Sequence, residues 1–198
     1  MQQIKIDIDT NPIIPLDYPD PDVIRVDNVY YMVTTTMYFM PGCEILRSYD
    51  LVNWEHVSYV YDKLDSTPEQ TLFEDKNAYG KGMWAASLRF HKGMFYVCFV
   101  ANDTGKTYLY TAPSINGPWK KNHIEGFYHD CSILFDDDDK IYIAYGNKDI
   151  YIGNKNMEYK SNFCKNNNKT FTRSYKIIKV KESEEEYYND CLTCIHSK

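Results

Sequence analysis

The chain has 198 residues with a formal net charge of −6, and an acidic balance of this kind does not suit a nucleic-acid partner held by phosphate neutralisation. No apolar run reaches membrane-spanning length, and the N-terminal MQQIKIDIDTNPIIP lacks a signal-peptide hydrophobic core, so the expectation is a soluble, intracellular protein with no membrane partner. Aromatic residues make up 16%, including 19 Tyr, which suits strands, where flat rings lie on a pleated surface, or a carbohydrate cleft, where they stack on a sugar face.

The first predicted element follows Tyr18-Pro19-Asp20-Pro21. Each proline fixes φ near −65° and removes a backbone donor, and Pro21 biases Asp20 toward an extended backbone. The Asp20 carboxylate is thus expected on a stiff, unpaired piece of chain. VIRVDNVYYMVTTT then reads as two short strands around a turn at Asp27-Asn28. Farther on, DKLDSTPEQTLFEDKNAYGKG reads as an inserted loop, and SLRFHKGMFYVCFVAN repeats the hairpin design around Lys92-Gly93. SILFDDDDKIYIAYGN repeats it again, with the turn between Asp136 and Lys140. The segments Asp50-Leu51-Val52-Asn53-Trp54 and Ile115-Asn116-Gly117-Pro118-Trp119 read as closing the first and second units. Units of short strands, each with a Trp near its end, are the pattern of a β-propeller blade, so the expected fold is all-β. Six cysteines scattered over the chain do not form a dense disulfide framework, and reduced thiols are expected. Cys191 and Cys194 make a C-x-x-C pair, but with only His196 nearby they fall short of a zinc site, and no metal or other cofactor is called for.

The repeat has a register. From Asp22 to Ser87 is 65 residues, as from Tyr30 to Phe95, and from Ser87 to Ser132 is 45. Two residues earlier, Asp20, Ala85 and Asp130 occupy one place in successive units. Starts of innermost propeller strands face the central axis, so Asp20 and Asp130 would look toward a shared cleft. Paired carboxylates across a cleft are the working parts of glycoside hydrolysis. The same two residues could equally cap turns, as Asp often does.

NPIIPLDYPDPDVIRVDNVYYMVTTTMYFMPGCEILRSYDLVNW resembles the opening of glycoside hydrolase family 43, five-bladed propeller enzymes that include β-xylosidases and α-L-arabinofuranosidases. GMWAASLRFHKGMFYVCFV and FYHDCSILFDDDDKIYIAYGN resemble that family's second and third blades, and the likeness covers about residues 11 to 153. The resemblance implies a general base at Asp20, activating water for attack with inversion, and at Asp130 an acid that tunes the pKa of the general acid and orients it. It implies a sugar pocket lined by Trp84, with Met37 and Phe39 in an aromatic stretch of its wall and His129 beside Asp130. Ala86 stands where the family has a proline, and Met37 where an aromatic is common.

The family's general acid, a Glu opening a fourth blade within Glu-Gly-Pro, has no match here. Glu182, Glu184, Glu185 and Glu186 fall near the expected place without Gly-Pro, in a like-charge run of the kind that is usually a solvated face. The chain therefore divides into residues 1–153, about three glycosidase-like blades of an incomplete propeller, and 154–198, a divergent C-terminal segment. Open blade edges would invite pairing with other chains. Three functions fit: an inverting glycosidase acting on xylan- or arabinan-derived oligosaccharides, an inactive remnant that binds such polysaccharide, or a protein-interaction propeller. Against the last stands the lack of Gly-His and Trp-Asp repeat signatures.

Overall fold

The computed structural model describes residues 11–137 and 141–146, together with the backbone of three short strands beyond them. Asp27-Asn28 and Lys92-Gly93 form the expected tight turns, with φ of 54° at Asp27, 47° at Lys92 and 80° at Gly93. Left-handed turn residues match the twist of the flanking strands, which is why these dipeptides register their hairpins. The first hairpin joins β1 (Asp22–Val26) to β2 (Val29–Val33), and β3 (Gly42–Ser48) and β4 (Glu55–Tyr61) complete a four-stranded antiparallel sheet in the order β1-β2-β3-β4. The second blade repeats this with β5 (Met83–His91), β6 (Met94–Ala101), β7 (Lys106–Ala112) and β8 (Lys120–Ile124). In the third, β9 (Ser132–Phe135) pairs with β10 (Ile141–Ala144). The pair β11 (Gly153–Asn154) and β12 (Met157–Glu158) lies next in the chain, and β13 (Ile177–Val180) pairs antiparallel with β10, in the place a third blade strand takes.

The tryptophan segments sit one strand earlier than their expected place at the close of each unit. Asp50 through Trp54 join β3 to β4, and Ile115 through Trp119 join β7 to β8. The reason is turn chemistry: Asp50 Oδ1 accepts hydrogen bonds from the Val52 and Asn53 amides at 2.9 and 2.8 Å, and Ser48 Oγ accepts from Leu51 N at 2.8 Å. The outermost strand of the second blade is too polar to announce itself; β8 reads Lys-Lys-Asn-His-Ile and buries only its last residue.

Between blades one and two the core is aromatic. Phe99, fully buried, has Tyr61, Tyr108 and Tyr110 at ring-centroid distances of 5.7, 5.5 and 5.7 Å. Blades two and three meet over Cys98, Cys131, Ile133, Ile141 and Ile143. Cys43, Cys98 and Cys131 are free thiols, and Cys98 and Cys131 place their sulfurs 3.5 Å apart across that junction.

The inserted loop runs from 62 to 82, between β4 and β5, as expected. Asp65 anchors it to blade two: its carboxylate accepts from Lys106 Nζ at 2.7 Å, Lys121 Nζ at 3.1 Å and the Tyr108 hydroxyl at 2.8 Å. Burial alone would raise the Asp65 pKa, but these donors outweigh it and hold the group down to about 2. The folded carboxyl is thus more acidic than the unfolded one, so its contribution, on the order of 2 kcal/mol, is complete above about pH 4 and is lost as pH falls toward 2. Over that window Asp65→Asn is expected to flatten the acid limb of the stability curve, read by urea titration at stepped pH. An unchanged limb would contradict the assignment.

Candidate active site

Asp20, Ala85 and Asp130, at equivalent register positions of three blades, share one backbone conformation. Their φ angles are 50°, 33° and 50°, all left-handed. The extended backbone expected for Asp20 before Pro21 is therefore corrected. A kink replaces it, because Thr35 N donates to the Pro19 carbonyl at 3.0 Å and the Thr35 hydroxyl donates to Asp20 Oδ2 at 2.9 Å, and Asp tolerates left-handed φ better than most residues. The third blade repeats the device, with Gly146 N donating to the His129 carbonyl at 2.7 Å. In the second blade the kink falls inside β5 as a bulge: Trp84 pairs with Val100 and Ser87 with Cys98, leaving Ala85 and Ala86 opposite Phe99 alone. A bulge re-aims the side chains around it, and here it sits beside Trp84.

The three strand starts are adjacent in space. Asp22 Oδ2 accepts from Leu88 N at 2.8 Å, and Ser87 Oγ accepts from Ile133 N at 3.1 Å, so β1, β5 and β9 lie in sequence as innermost strands. Each blade's side chain at one register position accepts the next blade's amide one residue on.

A chain of contacts links the two acids. Thr35 Oγ1 donates to Asp20 and accepts from Ala85 N at 2.8 Å; Ala85 follows Trp84; Trp84 meets the His129 ring edge-on at 6.1 Å; and His129 Nδ1 lies 3.1 Å from Asp130 Oδ2. That last contact is within ion-pair range but lacks hydrogen-bond alignment, so the buried Nδ1 stays without a hydrogen-bond partner, as does the buried Trp84 Nε1. Both acids are exposed, and Asp20 Oδ1 makes no hydrogen bond among the described residues. An exposed carboxylate with one oxygen anchored and the other free can accept a proton from water.

Met37 and Phe39 are placed differently. Met37 bridges to Met83 and its carbonyl accepts the Met83 amide at 3.0 Å, while the Phe39 ring lies tilted against Tyr38 at 4.4 Å, and Tyr38 lies tilted against Tyr79 of the inserted loop at 4.9 Å. Met37, Tyr38, Phe39 and Tyr79 line a groove of about 630 Å³ that reaches Pro19 and Thr35, next to Asp20. Trp84, His129 and Asp130 do not line it. The site thus comprises an aromatic groove that reaches the residues beside Asp20 and a separate Trp84-His129-Asp130 cluster. Thr35 and Tyr79 were not singled out from the sequence; Thr35 lies in the run Thr34-Thr35-Thr36 just after an aromatic strand, a signal that could have drawn attention. Glu182, Glu184, Glu185, Glu186, Cys191 and Cys194 lie outside the described residues. Among the described residues no three His, Cys, Asp or Glu side chains gather as a metal site would require.

Successive four-stranded antiparallel sheets whose innermost strands adjoin one another are the blades of a β-propeller. The family model for glycosyl hydrolases family 43 matches residues 9–190, and the chain belongs to that family. It is 39% identical over 111 residues to a β-xylosidase of Formosa agariphila, covering 56% of this chain and 18% of that protein. With a non-reducing end α-L-arabinofuranosidase of Bacteroides ovatus it shares 33% identity over 147 residues, covering 72% and 27%. Among solved structures, a bifunctional GH43-CE protein of Bacteroides eggerthii superposes with a TM-score of 0.69 at 46% identity, over 71% of this chain and 18% of the other. A GH43 glycoside hydrolase engineered in its active site to display both endo-xylanase and exo-arabinofuranosidase activity gives 0.65 at 36%, over 71% and 29%. The chain therefore spans less than a third of the length of these relatives.

Proposed function

We propose that this chain hydrolyses O-glycosyl bonds of xylan- or arabinan-derived oligosaccharides with inversion, Asp20 serving as general base and Asp130 as an acid that tunes and orients the proton donor. The observation that carries this reading is the left-handed strand start shared by Asp20 and Asp130, with Asp20 anchored through one oxygen and open through the other. Family membership and the names of the relatives support the substrate class. Trp84, with its buried indole N–H unpaired, and His129 supply a flat face and a donor for a sugar between the acids. The groove of Met37, Phe39 and Tyr38 would take the neighbouring unit.

The test is hydrolysis of para-nitrophenyl β-xyloside, para-nitrophenyl α-L-arabinofuranoside and xylobiose by the purified chain. Aryl glycosides need little protonation of the leaving oxygen, whereas xylobiose needs much, so turnover of all three means that a proton donor is in place. Turnover of the aryl glycosides alone means a base working without its acid. Silence from a folded chain toward every substrate would overturn the catalytic reading and leave saccharide binding. Where xylobiose turnover shows a proton donor in place, Asp130→Asn is expected to cut kcat less than loss of the base does and to displace the pH profile, because its action is indirect; a profile identical to the parent's would contradict that role.

A further inference from the structure

Arg89, on β5, joins three blades at once. Its Nη1 donates to Asp22 Oδ2 of blade one at 2.7 Å and to its neighbour Leu88 O at 2.6 Å. Its Nε donates to the Ile133 carbonyl at 2.8 Å and its Nη2 to Ser132 Oγ at 2.8 Å, both in blade three. The side chain is 30% exposed, as is that of Asp22. A guanidinium holds several donors in one rigid plane, so fixing it at both ends fixes the distance between the ends; an ammonium on a flexible stem cannot do this.

The two ends are informative. Asp22 follows Asp20 by two residues, with the stiff Pro21 between them, and Ser132 follows Asp130 by two. At roughly 3.3 Å per extended residue, each attachment lies within about 7 Å of its acid along the chain. No backbone pairing links β1 to β9, because β5 lies between them. The amide bonds from Leu88 N to Asp22 and from Ile133 N to Ser87 each join only adjacent blades. Arg89 hydrogen-bonds directly to the innermost strands of both blades that carry an acid.

We infer that Arg89 is a positioning residue that sets the separation of Asp20 and Asp130 by clamping Asp22 to Ser132 and Ile133. The inference rests on the reading of those two acids as the working pair. It follows that the distance across the site is set from below, through the strands, while the acids stay free to meet the substrate. A displacement of about 1 Å in a reacting group can cost on the order of a hundredfold in rate, so a clamp two residues away has leverage on turnover without touching the sugar.

The test is Arg89→Lys, which keeps the charge and can pair with Asp22 but cannot also hold Ser132 Oγ and the Ile133 carbonyl. Crystal structures of parent and variant are expected to differ by about 1 Å in the Asp20-to-Asp130 separation; an unchanged separation overturns the clamp. On para-nitrophenyl β-xyloside, kcat per folded molecule is expected to fall roughly 10- to 100-fold with KM nearly constant. If only the folded fraction falls, with kcat per folded molecule intact, Arg89 is merely structural and the inference is wrong. Should Arg89→Lys not fold, Ser132→Ala removes one arm and leaves the Asp22 pair, and the separation is expected to change in the same sense by a smaller amount; no change overturns the clamp. A parent with no turnover would refute the functional reading, while the measured separation still decides the clamp.

Discussion

Asp20→Asn is expected to lower kcat/KM on para-nitrophenyl β-xyloside by roughly 10²- to 10⁴-fold, the usual contribution of a positioned base, with the unfolding midpoint close to the parent's. The fold should persist because Asn loses little of what Asp20 does structurally. Its side-chain carbonyl can still accept the Thr35 hydroxyl, and Asn adopts φ near 50° as readily as Asp. What it loses is the capacity to take a proton from water. Steady-state kinetics beside a thermal melt separates these contributions: full activity in the variant would remove Asp20 from the mechanism, and a collapsed midpoint would recast it as a turn residue.

The largest effect on stability is expected at Phe99. Phe99→Ala removes a fully buried ring that touches three tyrosine rings from two blades, and the expected loss is about 3–5 kcal/mol. Little relief is available, because Tyr61, Tyr108 and Tyr110 are held in β4 and β7 and cannot all fold into the void. Against a typical domain stability of roughly 5–15 kcal/mol, such a loss brings the chain near unfolding. Equilibrium urea unfolding of Phe99→Ala and Phe99→Leu checks this: the Leu variant should keep much of the stability, and a loss under about 1 kcal/mol for Ala would show that the interblade core is not where the fold is held.

The paired inner strands were legible in the sequence because turn chemistry and apolar runs coincide there. Asp27-Asn28 and Lys92-Gly93 fall between strands whose bounds the dipeptides fix to the residue. The outer strands were not legible as strands. In β8 most side chains meet solvent, and β4 opens on the exposed Glu55 and His56 and buries the adjacent Val60 and Tyr61, so neither alternates cleanly. The loop-like Asp50–Trp54 segment looked terminal because its hydrogen bonds are made by Ser48 and Asp50 side chains, which composition does not reveal.

At the site, the repeat register brought Asp20 and Asp130 to one structural position, and their common left-handed φ agrees with it. The proline flanks of Asp20 misled on its backbone, since two Thr35 hydrogen bonds outweigh the local preference of a residue before proline. Thr35 and Arg89 act between blades. Each reads in sequence as an ordinary strand residue, and its meaning depends on which strand end folds beside it.

The stereochemistry of hydrolysis tests the central claim most directly. A base that activates water at Asp20 inverts the anomeric centre, whereas a carboxylate acting as nucleophile retains it through a covalent intermediate. Proton NMR of para-nitrophenyl β-xyloside with the purified chain, recorded before mutarotation, should show α-xylose as the first product. First appearance of β-xylose would contradict the assignment of Asp20 as a general base.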